Sequence, residues 1–312
     1  MLAAIALAAR PAKLIGAFVF LAIAVAMFDQ SRWQPWLYQY LIMLIAVGFC
    51  DRVEALNTCR LVVVCTYFWS GLQKANADFV HNVFPFMMGP LARFVPVQLG
   101  FIAPLFEMAI GVGLLTRRFR IYAIYTAIAM HGFILLAIGP LGQSSNSVVW
   151  PWNIAMICFV IILFRERPEV SGRDILWAGI YQRVVLVLFG IVPMLSFFNL
   201  WDAYLSSALY SGVRNTGAVY VSDALKDRLP QEIVPHVYPS NKPGTGILIL
   251  REWSMNELNA GIYPEPRIYK SLARYICSYT RDPSEMKLWI KQSNVLFVAD
   301  KQVSYDCPAL GK

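Results

Sequence analysis

The chain of 312 residues is 58% hydrophobic and only 15% charged, with a formal net charge of +8. A soluble domain is about one quarter charged, so this balance excludes an ordinary soluble protein and indicates an integral membrane protein. No basic patch is interleaved with aromatic residues, so the positive charge gives no sign of a nucleic-acid partner and reports membrane topology instead.

The first nine residues are apolar but run into Arg10, Pro11 and Lys13, and a second apolar run follows. A secretory signal has the reverse order, with basic residues before its apolar core. The expected start is a short interfacial segment and then a retained span. Apolar stretches at 14–28, 36–50, 61–73, 99–115, 121–138, 149–164 and 180–198 predict about seven spans, with six and eight the neighbouring counts.

Arginine clusters fall at alternate ends of these stretches: Arg52 and Arg60, then Arg117, Arg118 and Arg120, then Arg165, Arg167, Arg173 and Arg183. By the positive-inside rule they face the cytoplasm together with the N-terminus. An odd number of spans then places everything after residue 198 outside. Between the third and fourth stretches, residues 75–97 are too apolar for a loop and are broken by Pro85, Pro90 and Pro96. An interfacial or re-entrant cap on the outer side is expected there, within 76–97. Trp33, Trp36, Trp150 and Trp152 are expected in an aromatic belt at the same interface.

Residues 199–312 read differently, as one small extracytoplasmic α+β domain following a 1–198 helical bundle. Residues 201–211 suggest an amphipathic helix on the membrane surface. Residues 218–227 suggest a strand entering a helix, and 246–250 a strand. Residues 268–279 have helical spacing with Ile268, Leu272, Tyr275 and Ile276 on one face. The segments 287–291 and 295–305 suggest a terminal hairpin. Cys50, Cys59, Cys65 and Cys158 are scattered, with no CxxC pair and no metal-ligand spacing, and are expected to act as small hydrophobes. Cys277 and Cys307 are the two cysteines of the outer domain, and an oxidising compartment would join them as a disulfide.

The candidate chemistry lies in polar residues that hydrocarbon tolerates only with partners or a wet cavity. Lys74 closes the third stretch, Glu107 sits near the middle of the fourth, His131 follows Met130 in the fifth, and Asn153 begins the sixth. Two readings fit Lys74: an anchor snorkelling to the headgroups, or an inward amine that, once desolvated, serves as a general base. A Glu107–His131 hydrogen bond is the simplest mutual solution for that pair, either as a clasp between helices or as a proton relay. Asn153 reads as a pocket ligand or as a helix N-cap. His81 could share the outer vestibule or lie on the surface. No Ser-His-Asp order, nucleophile elbow, P-loop or dinucleotide fingerprint is present.

The segment Tyr67-Phe68-Trp69-Ser70-Gly71-Leu72-Gln73-Lys74-Ala75-Asn76-Ala77-Asp78-Phe79 resembles a signature of the HTTM group of membrane proteins. That group includes the membrane part of the vitamin K-dependent gamma-glutamyl carboxylases and is distantly similar to DoxX- and MauE-like bundles. In the carboxylases a Gly-x-x-Lys-x-x-x-x-aromatic segment carries a lysine base acting on reduced vitamin K, and Gly71, Lys74 and Phe79 match it. Glu107, the Arg117–Arg120 turn, Met130-His131 and Trp150-Pro151-Trp152-Asn153 resemble bacterial members of the wider group. The carboxylases continue into a much larger lumenal region that binds the substrate polypeptide, which residues 199–312 cannot match.

What the resemblance implies is therefore a pocket for a quinone-like cofactor or a lipid. Lys74, Glu107 and His131 would be its catalytic residues, and Gly71, His81, Trp152 and Asn153 would line it. The competing expectation is a non-enzymatic scaffold whose outer domain recruits an extracytoplasmic protein partner.

Overall fold

The computed structural model describes residues 1–144, 147–165, 169–212, 215–259, 261–292 and 300–310. The chain divides into two compact units, Met1–Gly212 and Val213–Lys312.

The first unit is helical. A short exposed helix α1 (Leu2–Leu7) leads into α2 (Ala12–Phe28) and α3 (Pro35–Phe49), whose first residue is a proline preset for a helix start. Next comes α4 (Arg52–Gln73), capped by the Asp51 carboxylate, which accepts from Val53 N and Glu54 N. A π-turn (Phe79–Val83) and the short α5 (Phe84–Met88) precede α6 (Ile102–Leu115), which a 3-10 turn extends back to Val97. After α7 (Arg120–Ile138) and α8 (Val149–Val160) come α9 (Gly172–Trp177) and α10 (Ile180–Val185). The run begun by α10 continues through π and 3-10 turns to Phe198, where Pro193 removes a backbone donor.

Each apolar stretch seen in the sequence is thus helical. Three of these helical runs, Val97–Leu115, Arg120–Ile138 and Ile180–Phe198, are long and apolar enough to cross a membrane. Ala12–Phe28, Pro35–Phe49 and Val149–Arg165 are apolar but shorter. With a rise of about 1.5 Å per residue, 17 residues reach roughly 25 Å, short of a hydrocarbon core of about 30 Å. The seven-span count is therefore not supported by helix length.

The core forms around α4, which is buried almost all round from Ala55 to Gln73. A helix apolar on every side belongs at the centre of a bundle. Its tightest neighbour is α6. A Cβ added at Gly71 would lie 2.7 Å from Met108 N and Pro104 O, and one at Gly111 would lie 2.9 Å from Val64 O. Two glycines, one on each helix, therefore let the backbones touch. Two arginines assigned from sequence to cytoplasmic charge clusters are buried instead. Arg60 donates to Leu163 O and Asn57 Oδ1, and Arg120 donates to Leu114 O and Val170 O, so both satisfy carbonyls at helix ends. Arg167 lies outside the described residues.

Residues 79–101 form short helices and turns around a small core of Phe79, Val80, Val83 and Phe84. Asn76 pins the segment. Its Oδ1 accepts from Phe79 N, and its Nδ2 donates to Gln73 O and Ser211 O. Residues 201–211 do not form the expected amphipathic helix. They fold as a 3-10 turn at Tyr204–Ser206, ended by Ser207 and Tyr210 at positive φ. Adjacent serines compete for backbone partners, and Ser206 Oγ bonds back to Asp202 O. Tyr204, Ser206 and Ala208 are buried. This stretch groups with the first unit, so the division falls at Gly212 rather than at residue 198.

The second unit is a five-stranded antiparallel sheet in the order β2-β3-β1-β4-β5, with helices on it. In chain order these are β1 (Thr216–Ser222), α11 (Asp223–Lys226), β2 (Val237–Pro239), β3 (Thr245–Ile249), α12 (Leu250–Leu258), α13 (Pro266–Cys277), β4 (Met286–Gln292) and β5 (Lys301–Asp306). α13 buries Tyr269, Ala273 and Ile276, while Tyr275, assigned from sequence to the apolar face, is half exposed. The helix packs against Gly217 of β1, where a Cβ would come 2.8 Å from the Tyr269 ring. The terminal hairpin is present as β4 and β5 in antiparallel register, and residues 295–299 of that expectation lie outside the described residues. Cys277, at the end of α13, is disulfide-bonded to Cys307, which follows β5.

Candidate functional site

Lys74 caps the C-terminal end of α4, with its backbone N–H bonded to Gly71 O. Its side chain does not run out to the surface, and the anchor reading is corrected: the residue is 7% exposed. It folds back along its own helix instead. The Nζ atom donates to Ser70 Oγ at 2.6 Å and to Ser70 O at 3.1 Å, and meets Glu107 Oε2 at 2.7 Å. Three acceptors surround a group that carries three protons as an ammonium. The glycine contact at Gly71 explains this geometry. It brings the Pro104–Met108 turn of α6 against the end of α4, and Glu107 arrives beside Lys74.

Glu107 therefore pairs with Lys74 and not with His131, contrary to the sequence expectation. His131 on α7 is 2% exposed and has other partners. Its Nδ1 lies 2.7 Å from Asn153 Oδ1, and its Nε2 lies 2.8 Å from the Tyr67 hydroxyl. The polarity of this chain follows from one contact. Asn153 Nδ2 donates to Val149 O, so its Oδ1 faces His131 as the acceptor. His131 then donates from Nδ1 and accepts the Tyr67 proton at Nε2. Asn153 is one turn inside α8, so it is not the helix N-cap.

The two clusters share a cavity of about 160 Å³. Ser70, Lys74, Glu107, His131 and Asn153 supply its polar wall, and aromatic and methionine side chains such as Phe84, Met87, Phe106, Met130 and Trp152 supply the rest. An apolar cavity of about 150 Å³ accommodates benzene, so the volume matches one ring. Trp152 also donates from Nε1 to Gln39 Oε1, and Trp150 donates to Ile138 O, so both indole N–H groups are used inside the protein rather than at headgroups. Among the described residues no cluster of His, Cys, Asp and Glu could hold a metal ion.

Of the residues singled out from sequence, Lys74, Glu107, His131, Trp152 and Asn153 converge on the cavity. Gly71 acts beneath it by setting the helix contact. His81 does not take part: it is exposed on the opposite side of the turn whose Phe79, Val80 and Val83 are buried. Sequence reasoning missed Tyr67 and Ser70 as members. Their spacing to Lys74, i, i+3 and i+7 on one helix face, was the available signal.

No protein-family profile, characterised protein or solved structure matches the chain.

Proposed function

We propose that the Met1–Gly212 unit is an intramembrane binding unit for a ring-bearing quinone-like molecule or a lipid. The Lys74–Glu107 pair would serve as its polar anchor and proton-handling group. One observation carries this reading: a buried ion pair faces an apolar cavity instead of being packed over by side chains. Buried charge is costly, and a purely structural clasp gains nothing from an adjacent void. The likeness of the 67–79 segment to the HTTM signature points the same way, since it places its lysine at this cavity.

In this reading the shorter apolar helices also cross the bilayer, by tilting of neighbours or local thinning. The N-terminus is cytoplasmic, the Val213–Lys312 unit is extracytoplasmic, and the membrane is a bacterial inner membrane. The Cys277–Cys307 disulfide supports that side for the second unit, because such bonds persist in oxidising compartments.

The test is binding of a short-chain naphthoquinol, and of its quinone, to protein in nanodiscs. Wild type should bind at least one, and Lys74→Ala should lose binding in the fraction of protein that remains folded and inserted, beyond any loss of folded protein. Equal loss of folded protein in the variant would mark Lys74 as structural. A second reading rests on the separate core of the second unit, centred on Val219, Leu248, Ile276 and Leu288. In it the membrane unit is a scaffold, and a 215–312 fragment alone would retain an extracytoplasmic partner.

A further inference from the structure

The same cavity supports a narrower statement, which rests on the binding reading above. We infer that Glu107, and not Lys74 or His131, is the group that meets the ligand, and that it does so as acceptor for a hydroxyl on an uncharged, membrane-soluble molecule.

The argument is an accounting of donors and acceptors. Lys74 Nζ has its three protons directed at Ser70 Oγ, Ser70 O and Glu107 Oε2. An ammonium has no fourth donor and no acceptor. His131 has both ring nitrogens engaged, by Tyr67 and Asn153. Glu107 differs. Among the described residues its one partner is Lys74 Nζ, whereas a carboxylate offers about four acceptor positions. It also lines the cavity. A ligand entering that space finds acceptor capacity on Glu107 and saturated groups elsewhere on the ionisable wall.

Charge narrows the ligand further. The Lys74–Glu107 pair is already neutral as a unit. An anionic headgroup would bring a second negative charge beside Glu107 in a low-dielectric site, with the lysine protons taken. A carbonyl or ether oxygen would meet the carboxylate lone pair to lone pair. Of these oxygen groups, the hydroxyl is the one that turns the contact into a charge-assisted hydrogen bond. The apolar wall of Phe84, Phe106, Met130 and Trp152 suits the ring or chain that carries it. Phe106 is itself 53% exposed on α6, so an attached tail has a route out towards lipid. Lys74 is then a positioning residue that holds the Glu107 carboxylate in place beside the cavity.

Three probes of matched shape test this on full-length protein in nanodiscs: 4-octylphenol, its methyl ether 4-octylanisole, and 4-octylbenzoate. Equilibrium binding is corrected for partition into empty discs. The phenol should bind at least about tenfold tighter than the ether, the usual worth of a hydrogen bond to a charged group, and the benzoate should bind weakest. Glu107→Gln should shrink the phenol-to-ether ratio, which is read within the variant so that any common loss of affinity from breaking the ion pair cancels. Equal binding of phenol and ether, or tighter binding of the benzoate, would overturn the assignment while leaving the cavity as a binding site. Binding of none of the three would overturn both the assignment and the binding reading. The wild-type ratios decide the question even if the variant fails to fold.

Discussion

Lys74 and Glu107 meet at 2.7 Å across the closest helix contact of the first unit, with side chains 9% and 12% exposed. The pair sits on two elements far apart in sequence, so neither charge can be removed without consequence for the other. Breaking a buried pair from one side leaves an unpaired charge, which costs about 3–5 kcal/mol. Lys74→Met should therefore destabilise the protein by that order in thermal unfolding of detergent-solubilised samples. Lys74→Met combined with Glu107→Leu should recover most of the loss, because apolar replacement of a whole pair is often neutral. A double variant as unstable as the single one would sink this account of the pair.

The glycine contact predicts a second asymmetry. Gly71→Ala would bring a Cβ to 2.7 Å from two backbone atoms of α6, which cannot swing away as a side chain can. Overpacking of this kind costs about 1–3 kcal/mol and here also parts Lys74 from Glu107. Gly132 on α7 has nothing within 4 Å of an added Cβ. Gly132→Ala should be neutral or stabilise by up to about 1 kcal/mol, from helix propensity. Paired melting curves check both, and equal effects at the two positions would show that the α4–α6 contact is not tight.

How far the sequence carried these features depends on what each feature is made of. The helical runs were legible because long apolar stretches in a chain with so little charge have few other fates. Polar residues inside them, Glu107, His131 and Asn153, were legible as site members for the same reason, since hydrocarbon gives them no partner. Their pairing was not. Which of Lys74 and His131 meets Glu107 depends on the rotation of three helices, fixed by Gly71 and Gly111 at a backbone contact that no periodicity encodes. Residues 201–211 had the spacing of an amphipathic helix, but a run of 11 residues is marginal without packing, and local serine bonds won.

The His131 network makes its own prediction. Tyr67→Phe keeps the ring and removes the proton that His131 Nε2 accepts, leaving a buried acceptor unmet at a cost of about 1–3 kcal/mol. Asn153→Leu instead leaves the Nδ1–H of His131 as a buried donor without its acceptor, at a similar cost. Because both act through one imidazole, their effects should not add, and a double-mutant cycle should show a coupling of about 0.5 kcal/mol or more. Strict additivity would mean that the three groups are independent.

The disulfide should dominate the stability of the second unit. Cys277 and Cys307 are 30 residues apart, and closing a loop of that length is worth about 3–4 kcal/mol in the chain-entropy view. Cys277→Ser with Cys307→Ser should lower the denaturant midpoint of the transition that reports Trp253 and Trp289. Mass spectrometry without reductant should show the wild type two hydrogen atoms lighter than its reduced form. Free thiols at Cys277 and Cys307 in the native chain would contradict both the bond and the oxidising side assigned to this unit.

Acid should weaken the second unit through Glu285. Its carboxylate accepts from the Arg228 guanidinium and from the backbone N–H groups of Arg281 and Asp282. These bonds, the arginine foremost, hold its pKa down at about 2. An unfolded glutamate titrates near ~4.3, so the folded state binds its proton later than the unfolded state. The sign follows: the stabilisation is complete above about pH 5, shrinks as the unfolded chain begins to take up the proton, and is gone below pH ~2. Asp282, also held low by Ser284, adds in the same direction. Denaturant midpoints for the second unit should fall steadily between pH 5 and pH 2, and Glu285→Gln should flatten that slope while lowering the plateau at neutral pH. A variant with the wild-type slope would place the acid sensitivity on other carboxylates.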